Sequence, residues 1–176
     1  MHKANVQILI KAIFTRNFFN FILMQKPILI LGACGQIGTE LTYALRDKHG
    51  YDVIIASDIR EGSEDLMNSG PFELLDATDY NALEEIIAYY EISEVYLMAA
   101  MLSATAEKFP MRAWNLNMNT LFNVLNLAKE KKIDKIFWPS SIAVFGPNTP
   151  ENNTPQNTIM EPVTVYGISK QSGERW

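Results

Sequence analysis

The chain has 176 residues, 48% hydrophobic and 20% charged, with a formal net charge of −5. That length makes one domain with a sizeable core, and the balance is that of an ordinary globular protein. The negative charge argues against nucleic acid as the main partner. A single cysteine, Cys34, rules out an internal disulfide framework and fits a reducing compartment.

Residues 1–26 carry Lys3, Lys11, Arg16 and Lys26 and no acid, so they contribute +4 and leave the remainder near −9. Their apolar clusters (Ile8-Leu9-Ile10, Ile13-Phe14, Phe18-Phe19, Phe21-Ile22-Leu23) are broken by Lys11, Arg16 and Asn17. A spanning helix needs about 20 mostly apolar residues, so membrane insertion is not expected. The plainest reading makes residues 1–24 an extension upstream of a true start at Met24. A targeting presequence or an interfacial amphipathic helix are the alternatives. The expected location is cytoplasmic, or mitochondrial if the presequence is real. Asn152-Asn153-Thr154 matches a glycosylation acceptor, a triplet common by chance.

From residue 25 the elements alternate. Pro27 to Leu31 reads as a buried strand before a Gly-rich turn. A helix follows over Ile37 to Lys48, with Ile37, Leu41, Ala44 and Leu45 at helical spacing. Val53 to Ala56 is a second strand ending at Ser57-Asp58, and Phe72 to Leu75 a third ending at Asp76. Tyr80 to Tyr90 is helical, Glu94 to Met98 a fourth strand, and Lys108 to Lys132 one long helix. Lys135 to Trp138 is the fifth strand, ending at Pro139-Ser140-Ser141. Gly146 to Val165 is polar and Pro-rich, and a last helix begins near Tyr166. This alternation predicts an α/β fold: a doubly wound parallel sheet with helices on both faces. Ligands bind such sheets at the carboxyl ends of the strands. The Gly turn, Asp58, Asp76, Ala99-Ala100 and Ser141 all fall there.

Gly32, Gly35 and Gly38 form a G-x-x-G-x-x-G turn between strand and helix. Glycines there permit a tight turn and close approach of backbone to a pyrophosphate, with helix N–H groups facing the phosphates. Asp58, 20 residues beyond Gly38, can accept both adenosine ribose hydroxyls and would repel a 2′-phosphate, which favours NAD over NADP. Arg60 keeps NADP open. Asp76 is suited to the adenine amine or, equally, to capping a helix. Cys34 lies inside the turn, where nearby helix N-termini would lower its pKa, but no His or second Cys is placed to help it catalyse. His2 and His49 are far apart, and no metal site is expected.

Tyr166-Gly167-Ile168-Ser169-Lys170 puts a phenol and an ammonium on one helical face. A phenol of pKa about 10 is a poor base at neutral pH, and a neighbouring cation lowers that pKa. Such a tyrosine can take the proton of an alcohol while a nicotinamide takes the hydride. Ser140 or Ser141 could hold the substrate oxygen or simply cap the strand end.

These motifs together resemble the extended short-chain dehydrogenase/reductase superfamily of NAD-dependent epimerases and dehydratases. Within it, residues 32–41, Leu102–Lys108, Ala113–Asn119, Lys135–Pro147 and Thr164–Lys170 are similar to the short-chain type of L-threonine 3-dehydrogenase. The resemblance runs from about Pro27 to Trp176 and implies a Rossmann-type fold. It implies Tyr166 as base, Lys170 as its partner, and Ser141 as the hydroxyl that orients the substrate. It implies Ser103 at the substrate and Asn117 near the nicotinamide ribose. Cofactor contacts are expected from Gly32, Gly35, Gln36, Ile37, Gly38, Asp58, Asp76, Ala77, Ala99, Ala100, Asn117, Tyr166 and Lys170. The family oxidises the β-hydroxyl of L-threonine with NAD to 2-amino-3-oxobutyrate.

Ala106 and Thr120 stand where the family pattern has Gly. The chain stops ten residues after Tyr166, so the domain over 25–176 is expected to be incomplete at its C-terminus, cut before the substrate-binding part. A full-length homodimer is implied, and the isolated chain is expected to aggregate and to turn over little threonine. A nucleotide-sugar epimerase or dehydratase, or a non-catalytic dinucleotide-binding fragment or regulator, are the competing readings.

Overall fold

A computed structural model describes residues 26–176. The expected extension over 1–24, with Met24, lies outside the described residues. Five strands form one parallel sheet: β1 (Ile28–Leu31), β2 (Ile54–Asp58), β3 (Phe72–Leu74), β4 (Glu94–Leu97) and β5 (Lys135–Phe137), in the order β3-β2-β1-β4-β5. The chain builds β1, β2 and β3 outward in one direction, then crosses back to place β4 on the other side of β1. The switch point therefore lies between the carboxyl ends of β1 and β4.

Burial on both faces explains the unbroken apolar strands, as in parallel sheets generally. Leu29, Leu31, Ile55, Val95 and Leu97 pack on one face against Leu83 and Ile87 of α3 (Tyr80–Tyr89). The same cluster takes in Leu121, Val124 and Leu127 of α5 (Pro110–Lys129). Ile28, Ile30, Ile54 and Ala56 pack on the other face with Leu45 of α1 (Gln36–His49) and Leu66 of α2 (Glu64–Asn68). The last helix, α6 (Val165–Arg175), lies against α5 and α4 (Ser103–Lys108), and Ala106, Ala113 and Tyr166 form a small third cluster.

Several expectations shift. The long helix expected over 108–132 is α5 (Pro110–Lys129), and a separate short helix, α4 (Ser103–Lys108), precedes it, because Pro110 disfavours helical backbone at the residue before it. Phe109 sits at φ −135°, ψ 63°, and Pro110 then starts α5 at a position where its missing N–H costs nothing. That helix ends early: Lys131 adopts a positive φ of 59°. In α1 the buried stripe is Gly38, Thr42, Leu45 and Arg46, and Ile37 is 66% exposed. Arg46 is fully buried and gives its hydrogen bonds to the carbonyls of Ile54, Leu66 and Pro71 and to Ser69 Oγ. It ties α1 to the segment joining β2 to β3. Helix α2 was not expected; Ser63 caps it by accepting from Leu66 N–H.

Candidate active site

The glycine turn leads from β1 into α1 in very little space. Gly32 has φ +89°, and a Cβ there would lie 2.5 Å from Ala99 N. A Cβ on Gly38 would lie 2.1 Å from the Gly32 carbonyl oxygen. Both positions hold glycine because backbone from two other places occupies the side-chain volume. The turn is fastened to β2: the Ser57 carbonyl accepts from Gly32 N–H at 2.8 Å and from Ala33 N–H at 2.9 Å. It is fastened to β4 as well, where Ala99 N–H donates to the Leu31 carbonyl at 2.9 Å.

Asp58 ends β2, and one oxygen of its carboxylate accepts from Cys34 N–H at 2.9 Å. Its other oxygen faces Arg60, whose Nε is 3.9 Å away and whose guanidinium donates to the Cys34 carbonyl. Asp58, Arg60 and the turn are thus one bracket. The Cys34 thiol is pushed up, by burial first and by the Asp58 carboxylate second. A helix N-terminus was expected to lower it; the neighbouring carboxylate and burial outweigh that effect. Asp76 does not cap α3, a role taken by Asp79 through Asn81 N–H and Ala82 N–H. Asp76 instead accepts from the backbone and hydroxyl of Thr78, in a turn of its own.

Gly32, Gly35, Asp58, Arg60, Asp76, Ala77, Ala99 and Ala100 line one cavity of about 330 Å³ at the switch point, floored by Leu116 and Thr120. Eight residues from four strand ends converge on it. Gln36, Ile37, Gly38 and Asn117 are not in its walls. Gln36 and Ile37 stand exposed on the first turn of α1. The cavity suits a dinucleotide on two structural grounds. Gly35 lines it without a side chain, and a Cβ there would meet only the Gly32 carbonyl oxygen, at 3.4 Å, so the space beside the turn is open to a ligand. Ser57, in the cavity wall, carries a buried hydroxyl with no hydrogen-bond partner among the described residues.

A second cluster lies beside the first. After β5 the chain turns at Pro139, and Ser141 accepts from Ala143 N–H at 3.2 Å, capping a single 3₁₀ turn over Ile142–Val144. That leaves the Ser141 O–H free to donate. Thr164 caps α6 by accepting from Gly167 N–H. The first turn of α6 presses on the 3₁₀ turn so closely that a Cβ on Gly167 would lie 2.1 Å from the Ala143 carbonyl oxygen. The turn that Ser141 caps and the first turn of α6 are thereby held in contact. Lys170 Nζ lies 5.8 Å from the centre of the Tyr166 ring and donates to the Pro139 carbonyl at 2.7 Å. Burial lowers the Lys170 pKa from 10.5 to about 8. Ser140 is exposed and donates to Glu174. Ser103 is the first residue of α4, on the loop side reached from β4 through Ala99, Ala100 and Met101. Asn117 is buried on α5 and spends its amide on Met101 and Ser169. Among the described residues no group of three or more His, Cys, Asp or Glu could hold a metal ion, and no helix is long and apolar enough to cross a membrane.

A parallel α/β sheet with a glycine turn at its switch point, opening on one cavity, defines a Rossmann-type nucleotide-binding fold. The chain belongs to the NAD dependent epimerase/dehydratase family, whose pattern matches residues 28–176. It is 49% identical over 150 residues to an uncharacterized epimerase/dehydratase of Staphylococcus saprophyticus, covering 85% of this chain and 47% of that protein. The GalE-like L-threonine dehydrogenase from Cupriavidus necator, in its holo form, superposes with a TM-score of 0.82 at 52% identity, over 85% of this chain and 49% of that one. The UDP-glucose 4-epimerase of Thermotoga maritima superposes with a TM-score of 0.76 at 25% identity, over 85% and 49%. The chain spans about half the length of the relatives it matches.

Proposed function

We propose that this chain is the nucleotide-binding portion of an NAD-dependent L-threonine 3-dehydrogenase. The observation that carries the reading is the packing of α6, which bears Tyr166 and Lys170, on the turn that Ser141 caps. NAD, when bound, supplies the acceptor for the hydride that leaves the substrate carbinol carbon. Gly32, Gly35 and the first turn of α1 would hold its pyrophosphate, Asp58 its adenosine ribose, and Asp76 and Ala77 the adenine side.

Tyr166 takes the proton from the β-hydroxyl of threonine. Lys170 remains an ammonium at neutral pH, below its pKa of about 8, and so keeps a positive charge 5.8 Å from the centre of the Tyr166 ring. The Ser141 O–H donates to the substrate oxygen, and its backbone bond to Ala143 keeps the hydroxyl aimed. Ser103, at the start of α4, would meet the substrate from the other side. The same Ser-Tyr-Lys set serves nucleotide-sugar epimerases. Identity of 52% to a threonine dehydrogenase against 25% to an epimerase favours the former.

The test is a hybrid in which residues 27–176 replace the matching half of the Cupriavidus necator enzyme. NADH formation from NAD should depend on L-threonine, and UDP-glucose should give no UDP-galactose. Interconversion of the UDP-sugars without threonine oxidation would overturn the reading.

A further inference from the structure

We propose that Ser169 is a positioning residue whose hydroxyl couples the loop after β4 to the helical turn that presents Tyr166 and Lys170. The proposal rests on the reading of those two residues as base and cation. Ser169 is 1% exposed and lies on α6 between them. Its Oγ donates to the Tyr166 carbonyl at 2.7 Å and accepts from Asn117 Nδ2 at 3.2 Å. The direction is fixed, because an amide nitrogen only donates, so the hydroxyl proton points at Tyr166. The Asn117 amide also grips Met101 from both sides. Its Oδ1 accepts from Met101 N–H at 2.8 Å, and its Nδ2 donates to the Met101 carbonyl at 3.2 Å. One continuous chain of hydrogen bonds therefore runs from Met101 through Asn117 and Ser169 to Tyr166.

Met101 lies two residues before Ser103, at the start of α4. A second tie joins α4 to α6: the Glu107 carboxylate accepts from Val165 N–H at 2.6 Å. Ala106, Ala113 and Tyr166 fill the space between the two. The loop that faces the substrate and the helical turn that carries the base are thus built as one unit. Ordering of the loop by a substrate is transmitted to the phenol. If Ser169 only filled space between α5 and α6, its removal would loosen α6 alone.

Amide hydrogen exchange on the 176-residue chain separates these cases. Met101 N–H does not touch Ser169; its partner is Asn117 Oδ1. In Ser169→Ala the protection of Met101 N–H should fall by about tenfold or more, and Ser169→Thr, which keeps the hydroxyl, should restore most of it. Loss of protection confined to α6, with Met101 unchanged, would overturn the proposal. Exchange of the wild-type chain in graded denaturant gives a second test that needs no variant to fold. The amides of Met101 and Lys170 should open together, with the same denaturant dependence, and separate openings would overturn the coupling. Neither test reads threonine turnover, so failure of the dehydrogenase reading would show instead as a hybrid that binds NAD and oxidises no threonine.

Discussion

The ammonium of Lys170 lies 4.2 Å from the centre of the Trp138 ring, over the residue that follows β5. The indole face and the Pro139 carbonyl together replace part of the water that the cation has lost. The replacement is incomplete: Lys170 is 4% exposed, and burial alone brings its pKa from 10.5 to about 8. The proposed role of Lys170 beside Tyr166 would account for a cation kept there at a cost to stability.

That cost gives a stability prediction. The native pKa is below the unfolded one, so below pH 8 both states are charged and the full penalty of burial is present. Between pH 8 and 10.5 the unfolded state binds more protons, and stability rises with pH. Lys170→Met should therefore be more stable than wild type at pH 7, by about 1–2 kcal/mol after the lost hydrogen bond is counted. The advantage should shrink through that window and vanish above it. Urea melts of both proteins at pH 7 and pH 10 measure it.

Asp58 is expected to set cofactor choice. Its carboxylate is anchored to the turn through Cys34 N–H and keeps lone pairs for ribose hydroxyls. Asp58→Asn keeps an acceptor and removes the charge that repels a 2′-phosphate, with Arg60 beside it to receive one. NAD affinity should fall by about tenfold to a hundredfold, the worth of a charged hydrogen bond, while NADP affinity rises. Calorimetric titration of each nucleotide into wild type and variant checks both directions.

Gly38→Ala places a methyl group 2.1 Å from the Gly32 carbonyl oxygen, against backbone that β2 and β4 hold fixed. The expected cost is about 1–3 kcal/mol, as for overpacked cores, with NAD binding weakened further because the turn itself must move. Gly35→Ala meets only the Gly32 oxygen at 3.4 Å and should cost much less stability. Thermal melts of the two variants side by side give the contrast.

The sheet was legible in the sequence, and so was the crevice where the glycine turn, Asp58, Asp76, Ala99 and Ala100 meet. Strands buried on both faces leave plain apolar runs such as Ile28–Leu31, and a ligand crevice at their carboxyl ends follows from topology. What stayed hidden was local and cooperative. Arg46 reads as a surface cation in a helix, because nothing in its sequence neighbourhood announces four carbonyl and hydroxyl acceptors from residues 54–71. The break at Phe109 was available from Pro110, and the run of helix formers around it masked the cue. The Asn117–Ser169 bond spans 52 residues, a distance over which no spacing rule reports. Asp79 and not Asp76 caps α3 because the choice between two acids three residues apart depends on where the turn at Thr78 folds.

The central claim is that Tyr166 takes the proton of a threonine hydroxyl beside NAD held on the glycine turn. Tyr166→Phe keeps the ring in its cluster with Ala106 and Ala113 and removes only the acidic oxygen. The decisive measurement is threonine-dependent NADH formation by the Cupriavidus necator hybrid, with and without this substitution, alongside NAD affinity. The expected result is a loss of turnover by about a thousandfold or more with NAD affinity within about twofold, as for removal of a general base. Turnover near that of the unsubstituted hybrid would contradict the account.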